Sequence, residues 1–160
     1  MTRVAVFPGS FDPFTCGHED IVRQALPLFD QIVIGIGVSS SKTPLMRPED
    51  RRLVIDKLFA KDPRVTVEFF EGLTVNFAEK MQAKWILRGL RTEADFSYEM
   101  PMAETNRKLN SEVQTVFLPS AAKHTYVSSS LVKELFRHKG AIDGFVPDTV
   151  ADWLKTNVDI

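Results

Sequence analysis

Short apolar runs rich in β-branched residues alternate with longer stretches of helical spacing along the whole chain. The segments predicted as strands are residues 4–7, 31–38, 65–70, 85–87 and 113–118. The segments predicted as helices are residues 19–29, 48–60, 74–83, 93–109, 128–137 and 148–155. Several strands are almost continuously apolar, which is typical of strands that are covered on both faces. The alternation predicts one α/β domain over residues 1–160, with a doubly wound, Rossmann-like sheet of about five mostly parallel strands and flanking helices.

The charge and cysteine content narrow the kinds of partner that we expect. The 20 Lys and Arg residues nearly balance the 21 Asp and Glu residues, which argues against a general nucleic-acid or anionic-membrane binder. One cysteine excludes an intrachain disulfide and a cysteine-based zinc cage. No apolar run reaches the roughly 20 residues of a membrane helix, and no secretory signal segment is evident. We therefore expect a cytoplasmic protein that acts on small molecules, with no nucleic-acid or membrane partner.

The loop after the first predicted strand has features of a phosphate-binding loop, although it matches neither a Walker A motif nor a dinucleotide fingerprint. In a mostly parallel sheet, ligands bind beyond the carboxyl ends of the strands, where this loop lies. Gly9 allows the backbone to approach a ligand, and His18 stands where the next helix starts. A helix N-terminus offers free N–H groups, and a histidine there can donate a hydrogen bond to a phosphate oxygen. The alternative interpretation is a turn with a surface histidine.

Cationic side chains follow two other strands at the same edge of the predicted sheet. Lys42 follows the second strand, where a solvated lysine is the ordinary interpretation. Arg88 and Arg91 stand at the end of the fourth strand with a glycine between them. Two planar guanidinium groups so placed suit the binding of phosphate oxygens. The structural alternative for the arginines is a pair of salt bridges to Glu93 or Asp95.

Three further positions have both a structural and a functional interpretation. Residues 124–130 enter the fifth helix, and their hydroxyl and N–H groups could cradle a triphosphate. A simple N-cap would use only one of the three serines in that stretch. Thr74 opens the third helix, where an N-cap is the plain interpretation. Glu99 lies on the fourth helix, where a single glutamate is ordinarily solvated.

The remaining unusual residues do not indicate a metal centre. His18, His124 and His138 do not have the spacing of a zinc site, so we expect no metal ion held by the protein. Cys16 is interpreted either as a reactive thiol beside the first loop or as a small buried filler. Pro101 falls inside the fourth predicted helix, where proline costs about 3 kcal/mol or kinks the helix.

Motifs that cover almost the whole chain resemble those of the bacterial phosphopantetheine adenylyltransferases. These enzymes are nucleotidyltransferases with a TxGH motif, related to class I aminoacyl-tRNA synthetases. The first loop contains GSFDP at residues 9–13 and TxGH at residues 15–18. Further motifs are ILRGLR at 86–91, DFxYE at 95–99, NR at 106–107 and SSSLVKE at 128–134. The combination of RGLR with SSSLVKE is specific to this family, whereas TxGH alone is shared by the superfamily.

The resemblance implies a reaction that transfers the adenylyl group of ATP to 4′-phosphopantetheine. The products would be dephospho-coenzyme A and pyrophosphate, in the penultimate step of coenzyme A biosynthesis. The acceptor phosphate would attack the α-phosphorus of ATP in line, without a covalent enzyme intermediate, and this chemistry depends on positioning and charge neutralisation. The resemblance also implies Mg²⁺ carried chiefly by the ATP phosphates, a homo-oligomer that is a hexamer, and coenzyme A as a feedback inhibitor.

The same resemblance assigns residues to each part of the site. His18 would stabilise the transition state, with Lys42 and Arg91 as further catalytic residues. The residues expected to bind ATP are Ser10, Phe11, His18, Gly89, Leu90, Arg91, Glu99, His124, Thr125, Tyr126, Val127, Ser128, Ser129 and Ser130. The residues expected to bind phosphopantetheine are Ser10, Lys42, Thr74 and Arg88.

Two other functions remain open on the sequence. A related nucleotidyltransferase would use nicotinamide mononucleotide or glycerol phosphate as acceptor, but the RGLR and SSSLVKE motifs argue against it. A non-catalytic nucleotide-binding module on the same fold is the second alternative. The presence of His18, Lys42, Arg88 and Arg91 disfavours such a module, because binding alone does not need a transition-state donor.

Overall fold

The computed structural model describes residues 1–39 and 43–159, in which strands and helices alternate as the sequence predicts. The strands are β1 (Val4–Gly9), β2 (Gln31–Gly37), β3 (Val65–Phe70), β4 (Trp85–Leu90) and β5 (Gln114–Pro119). The helices are α1 (Cys16–Ala25), α2 (Pro48–Leu58), α3 (Thr74–Lys80), α4 (Glu93–Leu109), α5 (Ser129–Arg137) and α6 (Asp148–Asn157), with a 3₁₀ turn at Ala122–His124. The predicted α/β class is confirmed.

The five strands form one parallel sheet in the order β3-β2-β1-β4-β5. The order reverses at β1, because the chain builds outward first through β2 and β3 and then through β4 and β5. All six residues of β1 pair with β2, whereas only Ala5 and Val6 pair with β4. The strands β1 and β4 therefore part beyond Val6 and Ile86, and this opening at the carboxyl edge is where such sheets bind ligands.

The two faces of the sheet are covered by different helices, which confirms the doubly wound arrangement. Ala5 and Phe7 of β1 pack into a core cluster that includes side chains of α1, α2, α5 and α6. Val4 and Val6 point to the opposite face, where they pack with Val75, Phe77 and Ala78 of α3. This alternation follows from the two-residue period of a strand, and it explains why β1 and β2 are apolar throughout.

Helix α4 runs without interruption through Pro101. A proline cannot donate a hydrogen bond to the carbonyl four residues earlier, which here belongs to Ser97. Both Pro101 and Ser97 are exposed, so water is available to that carbonyl. The helix therefore tolerates the proline on its solvent side. Within the described ranges, no helix is both long enough and apolar enough to cross a membrane.

Gly35 in β2 is required by packing. A methyl group at this position would overlap the ring of Phe77 and lie 3.2 Å from the Phe70 ring. Those two rings stack with their centroids 4.6 Å apart directly over the strand. At Gly37, two residues further along the same strand, the nearest atom to such a methyl group is 3.7 Å away, which is an ordinary contact.

We predict that Gly35→Ala lowers the free energy of unfolding by about 1–3 kcal/mol, because the added methyl group forces the stacked rings apart. The matched variant Gly37→Ala, with room for the methyl group, should change it by about 0.5 kcal/mol or less. Urea unfolding followed by circular dichroism measures both variants. Equal effects of the two substitutions would contradict the packing account of Gly35.

Candidate active site

A cavity of about 330 Å³ opens between the parted carboxyl ends of β1 and β4. It brings together many of the residues predicted from the sequence, contributed by both strands, the first loop, α1, α4 and the entry to α5. These residues are Ser10, Phe11, His18, Arg88, Gly89, Arg91, Glu99, Val127, Ser128 and Ser129. Thr74, Leu90, His124, Thr125, Tyr126 and Ser130 are described by the structure but do not line this cavity. Lys42 lies outside the described residues.

A capping box fixes the position of His18. Helix α1 begins at Cys16, three residues earlier than predicted, because Thr15 serves as its N-cap. The Thr15 hydroxyl accepts the His18 backbone N–H at 3.3 Å, and the Thr15 backbone N–H donates to His18 Nδ1 at 3.0 Å. His18 thus occupies the N3 position, which Glu or Gln usually holds in a capping box. Because Nδ1 accepts a hydrogen bond, the proton of the neutral ring is on Nε2.

Three phenylalanine rings surround the imidazole of His18. Its centroid lies 5.0 Å from Phe11, 5.3 Å from Phe14 and 6.2 Å from Phe7. Phe11 has a positive φ of 51°, which turns its ring back over Gly9, where a side chain would come within 2.9 Å of it. Phe11 is therefore a packed core residue, and Gly9 is needed to admit its ring.

The surroundings of His18 keep its ring uncharged. Burial, followed by the positive charges of Arg91 and Arg88, lowers the pKa of His18 from 6.5 to about 3. All three causes act against the imidazolium form, because the ring is enclosed by apolar groups and faces two guanidinium groups. At neutral pH His18 therefore presents to the cavity a neutral imidazole whose hydrogen-bond donor is Nε2–H.

Arg88 and Glu99 form a two-point ion pair at the wall of the cavity. Arg88 donates from Nε to Glu99 Oε2 at 2.9 Å and from Nη2 to Oε1 at 2.5 Å. The third bond of this guanidinium runs from Nη1 to the Pro8 carbonyl at 3.0 Å. Glu99 is only 9% exposed, so the interpretation of a solvated helix face is wrong. The error arises because the partner of Glu99 lies on the preceding strand, outside the helix pattern.

Arg91 is held by α4 and by the segment that precedes α5. Its backbone N–H donates to Asp95 Oδ2 at 2.8 Å, and its Nε lies 3.3 Å from the same oxygen. Its Nη1 donates to the Val127 carbonyl at 3.0 Å. The salt bridge to Asp95 that the sequence offered as an alternative is therefore present. It coexists with the position of Arg91 in the cavity wall.

Two helix N-termini face the cavity. Gly17 and His18 of α1 line it, as do Ser128 and Ser129 at the start of α5. Ser128 is the N-cap of α5 and accepts the Leu131 N–H at 3.1 Å, so the simple capping interpretation holds for this serine. Ser129 donates to the Pro13 carbonyl at 2.8 Å and thereby ties α5 to the first loop. Two such termini with nearby arginines suit a polyphosphate.

Thr74 does not cap α3. The helix begins at Thr74 itself, Leu73 occupies the N-cap position, and no side-chain hydrogen bond caps this end. The N-cap interpretation of Thr74 is thus wrong. Its expected contact with phosphopantetheine stays a prediction.

A buried ionic cluster beneath the first loop was not identified from the sequence. The Asp12 carboxylate accepts the N–H groups of Leu45 and Met46 at 3.0 and 2.8 Å. It also lies 2.9 Å from Lys133 Nζ and 3.8 Å from Arg51 Nε. Asp12 and Lys133 both belong to quoted motifs, but their pairing is visible only once the first loop and α5 come together.

Arg51 supports the first loop through a hydrogen bond to its backbone. Its Nη1 donates to the Ser10 carbonyl at 2.9 Å, and its Nε donates to the Met46 carbonyl at 2.9 Å. Ser10 is therefore fixed through its backbone while its side chain stays exposed in the cavity. The sequence carries no signal for this role, because Arg51 lies in a helix of ordinary charged composition.

Cys16 at the first position of α1 does not have the surroundings of a reactive thiol. Burial, with added effects of Glu19 and Asp148, raises the pKa of Cys16 above its ordinary value. A raised pKa reduces the thiolate fraction, which is the reactive form. The interpretation as a packed filler therefore agrees better with the structure.

Comparisons with known proteins identify the family of this chain. A model of the cytidylyltransferase-like family matches residues 6–135. The phosphopantetheine adenylyltransferase of Flavobacterium johnsoniae is 50% identical over 148 residues, which cover 92% of this chain and 97% of the relative. The enzyme of the same name from Lachnoclostridium phytofermentans is 44% identical over 148 residues, 92% of this chain and 91% of the relative.

A solved structure has the same fold at low sequence identity. It is a Vibrio parahaemolyticus protein provisionally named a nicotinate-nucleotide adenylyltransferase, with a TM-score of 0.72 and 16% identity. The match covers 98% of this chain and 93% of that one. The structural match establishes the fold alone, and the sequence identities of 44% and 50% establish the narrower family. The chain therefore belongs to the cytidylyltransferase-like nucleotidyltransferases and, within them, to the phosphopantetheine adenylyltransferase family.

Proposed function

We propose that this chain transfers the adenylyl group of ATP to 4′-phosphopantetheine and releases dephospho-coenzyme A and pyrophosphate. The observation that carries the proposal is the convergence of one neutral imidazole and two arginines on a cavity with two helix N-termini. The choice of acceptor rests on relatives named phosphopantetheine adenylyltransferase, whose matches cover nearly the full chain.

The proposed step is an in-line displacement at the α-phosphorus. An oxygen of the acceptor phosphate forms a new bond to that phosphorus, and the bond to the oxygen that bridges the α- and β-phosphates breaks. Pyrophosphate departs with the bond electrons. The attacking phosphate is already ionised at neutral pH, so no side chain has to remove a proton from it. Positioning and charge stabilisation are therefore the contributions that remain for the protein.

His18 is proposed to stabilise the charge that develops on the transferring phosphate. The capping bond to Nδ1 directs the Nε2–H proton away from the helix, and the ring is uncharged at working pH. A neutral donor fixed before the reaction gains strength as negative charge builds on the oxygen that it faces. It does so without giving up its proton.

Each of the two arginines is proposed to bind the phosphate groups of one substrate. Arg91, near the N-terminal ends of α4 and α5, binds the ATP phosphates together with Gly89, Leu90 and residues 124–130. Arg88, nearer the Pro8 end of the cavity, binds the acceptor phosphate. Lys42 and Thr74 are proposed as further acceptor contacts, on the resemblance alone.

Magnesium is proposed to enter with ATP. The two carboxylates that line the cavity, Asp95 and Glu99, already accept hydrogen bonds from Arg91 and Arg88. Mg²⁺ commonly keeps substrate phosphates and water as most of its ligands, so it does not need a cage of protein carboxylates. The ion is accordingly treated as part of the nucleotide substrate.

The partners and location expected from the family complete the proposal. We propose a homo-oligomer, a hexamer by resemblance, and the exposed apolar side chains of α4 support such a contact: Met102 is 54% and Leu109 57% exposed. A particle of one-subunit mass in sedimentation would contradict it. We further propose a cytoplasmic location and feedback inhibition by coenzyme A.

Pyrophosphate release tests the substrate assignment. With ATP and Mg²⁺, release is expected with 4′-phosphopantetheine as acceptor and not with nicotinamide mononucleotide or glycerol 3-phosphate. Release with one of the other acceptors would retain the chemistry and overturn the acceptor. Calorimetric binding of ATP without turnover on any of the three would favour the non-catalytic binding module instead.

His18→Gln should lower kcat by about 10²- to 10³-fold with a much smaller change in either KM, because the lost donor acts mainly in the transition state. Glutamine is an ordinary N3 residue of a capping box, so this variant keeps the start of α1 while it removes the imidazole. His138→Ala, which changes an exposed histidine at the end of α5, is the control and should leave kcat unchanged. An unchanged kcat in His18→Gln would contradict the proposed role.

A further inference from the structure

The ion pair between Arg88 and Glu99 uses only part of the arginine's hydrogen-bonding capacity. A guanidinium group has five N–H donors. Two of them, on Nε and Nη2, donate to the carboxylate of Glu99, and one on Nη1 donates to the Pro8 carbonyl. The other two N–H groups, one on Nη1 and one on Nη2, have no hydrogen-bond partner within residues 1–39 and 43–159.

The open donors lie on the cavity side of the pair. The Arg88 side chain is 33% exposed and lines the cavity, whereas the Glu99 side chain is 11% exposed. Two N–H groups on adjacent terminal nitrogens match the spacing of two phosphate oxygens. Arg88 can therefore bind a phosphate without releasing Glu99. Each carboxylate oxygen of Glu99 accepts one hydrogen bond from the arginine.

We propose that Glu99 is a positioning residue for the acceptor, acting through Arg88. It holds the guanidinium by its Nε–Nη2 edge, so that the terminal N–H groups face the acceptor phosphate before that substrate arrives. This inference rests on the proposed function, because it takes the phosphate that Arg88 meets to be that of the acceptor. It adds to the expectation by resemblance, which places Glu99 among the ATP contacts.

The size of the effect follows from the flexibility of arginine. A free Arg88 would lose its rotamer freedom on binding, and an arginine already held has lost it beforehand. This difference corresponds to about three- to tenfold in acceptor affinity. An opposing effect exists, because Glu99 is also an anion near two anionic substrates. Its removal strengthens the attraction of both substrates to the cavity.

The ratio of the two Michaelis constants separates positioning from charge. A gain in positive potential acts on ATP and on the acceptor in the same direction, so it largely cancels in the ratio of acceptor KM to ATP KM. A loss of Arg88 positioning acts on the acceptor alone. We expect Glu99→Gln to raise this ratio about three- to tenfold.

Two variants on the same helix serve as controls. Asp95→Asn removes an equal charge from the same cavity and loosens Arg91 instead of Arg88, so the ratio should not rise. Glu104→Gln breaks an exposed ion pair with Arg107, outside the cavity, and should leave both constants unchanged. Circular dichroism establishes that each variant is folded. If Glu99→Gln is not folded, Glu99→Asp, which is one methylene shorter, replaces it.

The outcomes distinguish this inference from the proposed function. If the unmodified protein does not release pyrophosphate with 4′-phosphopantetheine, the proposed function itself fails. If the unmodified protein is active and the ratio is unchanged in Glu99→Gln, positioning is overturned. A ratio that falls because the KM for ATP rises would show that Glu99 acts on ATP rather than on the acceptor, and would also overturn it. A rise in the ratio in Asp95→Asn as large as in Glu99→Gln would show that the loss of either negative charge raises the ratio. That result would also overturn positioning through Arg88.

Discussion

The capping box between Thr15 and His18 is the interaction on which the rest of the site depends. It satisfies the first turn of α1 and at the same time sets the tautomer and direction of the imidazole. A helix N-terminus and the His18 side chain are thus placed by the same two hydrogen bonds. Because the start of α1 lies next to the divergence of β1 and β4, the Nε2–H group lies at the carboxyl edge of the sheet, where the cavity opens.

The electrostatic design of the cavity follows from that placement. Burial, and after it the positive charges of Arg91 and Arg88, keep His18 neutral. Each arginine is in turn held by a carboxylate, Glu99 or Asp95, and by a backbone carbonyl. Cations that are fixed before the substrates bind need little reorganisation when charge develops, which is the property that favours phosphoryl transfer.

Much of the fold could be predicted from the sequence because each element carries its own period of apolar residues. The apolar pattern predicted the end of β4 at residue 87, which is three residues too early. Residues 88–90 continue the strand by pairing with residues 117–119 of β5. A strand end built of arginine and glycine has no apolar signal to detect. These residues extend beyond the core because they form the wall of the cavity.

The site was predictable where motifs lie within one loop, and it was not predictable where partners come from distant elements. His18, Arg88 and Arg91 are found from their place after strands, and the structure brings all three into the cavity. The burial of Glu99 and the contacts of Asp12 with Arg51 and Lys133 depend on how helices pack against the first loop and β4. No local period of the sequence encodes such contacts. The start of α1 was missed because histidine is an unusual N3 residue in a capping box.

The protonation of His18 is the most direct test of this account. Nitrogen-15 NMR of the imidazole rings, followed from about pH 7 to about pH 4.5, reports the charge and the tautomer of each histidine. The structure predicts one ring, absent from the His18→Gln spectrum, that stays neutral with its proton on Nε2 throughout, since its pKa is about 3. A His18 ring that becomes charged near the ordinary pKa of 6.5, or that carries its neutral-form proton on Nδ1, would contradict the account.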